Sequence, residues 1–132
     1  MWHQTRKGPH VVHASTCDAS VISGTYGYTI QGFFFDSGGN LQVYSSAGAF
    51  VLDGAGNLVG KETDAASGAV SRAAVITGTY NVNSDCSGSF TTNSPTVGGP
   101  FTYDFAITDS GSVLQMVESD QGTNITGSAR KL

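Results

Sequence analysis

The sequence predicts an all-β protein: an eight-stranded antiparallel β-barrel of up-and-down (meander) order, with a β-sandwich as the alternative. Apolar residues recur with a period close to two along most of the chain, the period of a strand with one buried side. Clusters of Gly, Asn, Asp and Ser interrupt these runs at hairpin spacing. No stretch carries a convincing helical period, and a meander of eight strands hides its edges most simply by closing on itself.

The first strand runs from Ile22, with Gly24, Tyr26, Tyr28, Ile30, Gly32 and Phe34 on one face and Ser23, Thr25, Gly27, Thr29 and Gln31 on the other. Glycines and large rings thus alternate along one side, as in a strand bent around a packed interior. The second, Leu41 to Leu52, changes face around Ser45 to Gly48, which predicts a bulge or bend among these small residues. Then follow "NLVGKET", "AVSRAAVITGTYNV", "SGSFTTN", "FTYDFAIT", "SVLQMVES" and "TNITGSARKL", separated by turns such as "DSGGN", "DGAGN", "NSDCSG" and "SPTVGGP". Alternation sends Ile76, Tyr80, Val82, Phe101, Tyr103, Phe105, Ile107, Leu114, Met116 and Glu118 inward and Asp104 outward. The echo of Asp36 to Leu41 in Asp53 to Leu58 is repeated hairpin chemistry, because one aspartate per loop is too few for calcium.

With 132 residues the chain is one domain by size. Residues 17–132 are read as a single β-barrel domain and 1–16 as a disordered leader remnant or cloning scar: a basic pair precedes Val12-His13-Ala14, a small-residue cleavage pattern, but the apolar segment between them is missing. His3, His10 and His13 all fall there, and a floppy arm does not fix zinc ligands, so no metal is expected. Only 12% of residues are charged, the formal net charge is −4 and the six basic residues are scattered, which argues against nucleic acid as a partner. No apolar run reaches the roughly 20 residues of a membrane span.

Cys17 and Cys86 sit in no Cys-x-x-Cys pair, and their simplest use is one disulfide, against two free buried thiols. Closing that loop stabilises the fold by about 4 kcal/mol in the chain-entropy model. Such a bond persists in an oxidising compartment, so the expected location is secreted or periplasmic. There is no Gly-x-Ser-x-Gly elbow, no histidine in the folded region, no Walker loop and no dinucleotide fingerprint, so neither a hydrolase triad nor a cofactor is expected.

Taken together, the Cys17 segment, "GTYGYTIQGF", "GAFVLDGAGNLVG", "TGTYNVNSDCSGSF" and the stretch from Phe101 to Leu132 resemble a family of small exported bacterial proteins of uncharacterised function. The resemblance implies a compact barrel, similar in architecture to lipocalins and the allene oxide cyclase group, and it brings no catalytic residues. Candidate ligand-binding residues therefore come from the inward face: Tyr26, Tyr28, Tyr80, Tyr103, Met116 and Glu118, tyrosine joining apolar area to an orienting hydroxyl. The alternative is that these rings simply fill the core. Glu118 is the one catalytic candidate, with Glu62 beside it if its strand faces the same way; the simpler reading puts Glu118 at a solvated rim beside "SDQG". The expected function is binding of a small apolar ligand or a surface interaction, antigen-like role without catalysis. The alternative is a cyclase or isomerase using an interior carboxylate.

Overall fold

The computed structural model of the protein describes residues 16–132. The expected leader and its three histidines lie outside the described residues, except for Thr16. The strands are β1 (Gly24–Phe35), β2 (Leu41–Leu52), β3 (Asn57–Ala66), β4 (Ala69–Val82), β5 (Ser87–Ser94), β6 (Gly98–Thr108), β7 (Val113–Glu118) and β8 (Thr123–Lys131). Each pairs antiparallel with the next and β8 returns to β1, so the sheet is a closed barrel and not a sandwich. Closure leaves no sheet edge to protect.

The inward faces follow the alternation, with one correction. β2 has no bulge: its pairing with β1 runs unbroken from Gly24↔Leu52 to Phe35↔Leu41. What changes along β2 is the polarity of the interior, from Leu52 and Phe50 to Ser46 and Tyr44, while Leu41 and Val43 stand outside, 56% and 59% exposed. An apolar exterior beside a polar interior imitates a change of face. The register shifts lie instead between Glu62 and Asp64 on β3, opposite Ala73 at φ 52°, and between Thr92 and Ser94 on β5. β6 also begins earlier than the turn-rich "SPTVGGP" predicts, at Gly98. Gly32 allows β1 and β8 to approach closely, because a Cβ there would lie 1.9 Å from the Asn124 carbonyl oxygen.

The two ends of the barrel are built differently. Ile22 does not start β1; it ends a 3-10 turn, Ala19–Ile22, capped by Asp18, whose carboxylate accepts from the Ser20 amide at 3.0 Å. This turn plugs one end. Ile22, Tyr26 and Leu114 are fully buried there and Leu52 nearly so. The Cys17–Cys86 disulfide, with Cα atoms 5.1 Å apart, ties the plug to the β4–β5 turn, and the Cys17 amide donates to Ser84 O at 3.2 Å. Above the plug the rings of Phe50, Phe90 and Phe105 fill the waist, with centroids 5.6 Å and 4.5 Å apart.

Candidate functional site: a cup at the open end of the barrel

Past the phenylalanine waist the interior turns polar. β1 supplies Tyr28, β2 Tyr44 and Ser46, β3 Glu62 and Asp64, β6 Tyr103 and β7 Glu118. Glu62, Asp64 and Glu118 are only 9%, 8% and 8% exposed. Gly48 is what lets the first of these meet its partner: it pairs with Tyr28 on one side and Glu62 on the other, and having no side chain it leaves a gap inside β2. Across that gap the Tyr28 hydroxyl donates to Glu62 Oε1 at 2.9 Å and lies 3.3 Å from Ser46 Oγ. Tyr44 donates to Asp64 Oδ2 at 3.2 Å. Cross-strand register sets Tyr103 directly opposite Glu118.

Of these, Tyr44, Asp64, Tyr103 and Glu118 line a cup of about 410 Å³ that opens to solvent, its wall also including Phe34 and Phe101. Beneath it lies a small void of about 40 Å³, bounded by Tyr28, Phe50, Glu62, Tyr103 and Met116, room for little more than a water. The cup falls in the size range of small-molecule sites, and like them it joins apolar wall to a few converging polar groups.

Burial, and then the neighbouring Asp120 carboxylate, push Glu118 up to about 8, against a smaller opposing effect of the Tyr103 hydroxyl. On Asp120 burial is the largest single influence and acts upward, but hydrogen bonds from the Thr102 amide (3.0 Å) and hydroxyl (2.7 Å) and with Glu118 together outweigh it and hold the carboxyl below the ordinary range. Burial also raises Glu62, with Asp64 adding to it and the Tyr28 hydrogen bond opposing. Burial first and the surrounding carboxylates second keep Tyr44 and Tyr103 neutral well above their ordinary range. The solvated rim expected of Glu118 is therefore incorrect: although Glu118 is the last residue of β7 and the chain turns at Ser119, whose amide donates to Thr102 O at 2.9 Å, its side chain lies buried in the wall of the cup.

The tyrosines singled out by sequence fall into two groups. Tyr28 and Tyr103 belong to the open half, with Glu118, and Met116 borders the void below the cup. Tyr26 and Tyr80 lie in the plugged end with their hydroxyls on backbone: Tyr26 donates to Gly111 O, while Tyr80 accepts from the Gly54 amide at 2.8 Å and donates to Ala19 O at 3.4 Å. Tyr44 and Asp64 complete the cup but were not singled out. Continuing the Leu58, Gly60, Glu62 alternation one step further would have reached Asp64. The turn aspartates Asp36 and Asp53 spend their carboxylates on the amides of their own loops, Gly38 and Asn40, Ala55 and Asn57. Among the described residues no three His, Cys, Asp or Glu side chains are placed to hold a metal ion.

No family model and no curated protein matches the chain. Among solved structures it is similar to one described as a redesigned beta barrel, mFAP1, bound to DFHBI, with a TM-score of 0.52 and 20% identity over 86% of this chain and 97% of that one. At that identity the likeness is one of fold, and it places this chain among closed, eight-stranded, up-and-down antiparallel β-barrels.

Proposed function

We propose that the protein is an exported small-molecule-binding barrel, secreted or periplasmic, whose ligand occupies the open-end cup. The observation that carries this reading is the unequal filling of the interior: one end is plugged, disulfide-tied and solid, while the other keeps about 410 Å³ lined by rings and carboxyls. A barrel that needed only stability would fill both ends alike. Export rests on the disulfide, which suits an oxidising compartment, and no helix among the described residues is long and apolar enough to cross a membrane. The fold neighbour adds that a barrel of this architecture accommodates a small ligand, since that protein is bound to DFHBI. Titration with the neutral solvatochromic dye Nile red tests the reading. Saturable emission enhancement is expected, and Ala66→Trp, which fills the cup from the end of β3, abolishes it. No saturable binding by the parent protein, or full retention in the filled variant, rejects the cup as the site.

A second reading, a cyclase or isomerase, is favoured by one observation: Glu118 faces the cup and burial raises it to about 8, into the range of a working general base. Solvent deuterium exchange into the α-carbon of camphor, followed by NMR, is its test. Exchange lost in Glu118→Gln supports it; exchange equal to buffer sinks it.

A further inference from the structure

Among the described residues the cup is lined by two carboxyls, Asp64 and Glu118, with Glu62 bordering the void beneath, and by no cation. Glu62, Asp64 and Glu118 are each more than nine-tenths buried, yet their partners are tyrosine and serine hydroxyls or other carboxyls, Glu62 with Asp64 and Glu118 with Asp120. No Lys, Arg or His is among the residues lining the cup, and the described cations, Lys61, Arg72, Arg130 and Lys131, all lie exposed. Lys131 sits at the far end of the barrel, 5.8 Å from the centre of the Tyr26 ring. Burying carboxyls without a cation is costly, and apolar side chains of similar volume would fill the same space at lower cost. Something with positive charge would relieve this arrangement, and the wall around it is aromatic: Phe34, Tyr44, Phe101 and Tyr103 present ring area to the same space.

Taking the cup as the binding site, we propose that its ligand is a cationic amphiphile, a protonated amine carried on a compact apolar body. The ammonium group lies between Asp64 on β3 and Glu118 on β7, strands half-way around the barrel from each other. The apolar body packs against Phe34, Phe101 and Ile125. Glu118, which without a ligand keeps its proton beside Asp120, gives it up to solvent when the ammonium arrives, and the ion pair forms on a side chain that is itself mostly out of water. The same carboxyls turn away carboxylates and phosphates, so selectivity against anions is built in by repulsion.

Isothermal titration with three molecules of nearly equal shape, adamantylamine, adamantanol and adamantane carboxylate, tests the class of ligand. The amine is expected to bind about tenfold or more tighter than the alcohol, and the carboxylate weakest. Glu118→Gln and Asp64→Asn each reduce amine affinity about tenfold while changing that of the alcohol less than about twofold. Asp104→Asn removes the same charge from the outer face and leaves both unchanged, separating the cup from the net charge of the protein. Alcohol or carboxylate binding as tightly as the amine overturns the cationic class and leaves the cup as a binding site. If none of the three binds, and Nile red does not either, the binding reading itself falls with it.

Discussion

The plugged and open ends of the barrel use the same residue type for opposite purposes. At the plug, Tyr26 and Tyr80 direct their hydroxyls at backbone groups of turns, so each phenol is a rivet between strand and loop. In the open half, Tyr28 and Tyr44 direct theirs at carboxyls on the next strand but one or the next strand, so each phenol belongs to a polar wall. A backbone partner is permanent once the fold forms. A carboxyl partner changes with pH or with an arriving charge, and this is what separates a structural end from a responsive one.

The largest expected effects come from breaking the plug and the waist above it. Phe50→Ala removes the ring that stacks on Tyr26 at 5.9 Å and meets Phe90, and costs about 3–5 kcal/mol in chemical denaturation. Cys17→Ser with Cys86→Ser releases the loop closed over 69 positions of sequence and costs about 4 kcal/mol. In the cysteine variant the folded fraction keeps its Nile red affinity, since the plug does not touch the cup, whereas Phe50→Ala also enlarges the void beneath the cup. A loss of affinity as large as the loss of stability would show the two ends to be coupled. Tyr80→Phe is milder, about 1–2 kcal/mol, from leaving the Gly54 amide without its partner.

The cup shows itself through pH. Glu118 is raised from 4.5 to about 8 in the folded protein, so between these values the native state holds a proton that the unfolded chain has lost. Its stabilising contribution is present below about 4.5 and declines as pH rises towards 8. Burial moves Glu62 the same way. Asp36, Asp53 and Asp85, held low by hydrogen bonds within their turns, act in the other direction: their contribution is present above the ordinary 3.8 and lost as pH falls through their lowered values. Thermal melts are therefore expected to peak at about pH 5 and fall towards pH 8. Glu118→Gln flattens that decline, with Asp120, Tyr103, Tyr44 and Asp64 unchanged around it. A decline of undiminished slope in this variant assigns the proton to another group. The smallest effect is that of Tyr44→Phe, under about 1 kcal/mol in stability because Asp64 keeps its hydrogen bond with Glu62.

Periodicity was enough to read the strands and their faces from the chain, because a period of two survives any bending of the barrel. Leu41–Leu52 and Ala69–Val82 begin and end where the pattern places them. Alternation says which side of the sheet a residue faces, however, and nothing about its height along the barrel. Tyr26 and Tyr28 are adjacent in that pattern, yet one rivets the plug and the other reaches Glu62. The plug itself was illegible: a turn of four residues has no period, and Ile22 continues the β1 alternation so well that it reads as its first member. Tyr44 was obscured by the exposed Leu41 and Val43, which reverse the usual association of apolar with inside.

Barrel closure also has a timing. The ladder from Tyr26↔Lys131 to Phe34↔Thr123 joins the first strand to the last. At translation rates of about 5–20 residues per second, β1 exists for about 5–20 s before β8 does. Throughout that interval its backbone edge and the outward Phe33 and Phe35 have no native neighbour on one side. The nascent chain must be kept from pairing with others until β8 is made, so the step most exposed to aggregation belongs to biosynthesis and not to the folded barrel.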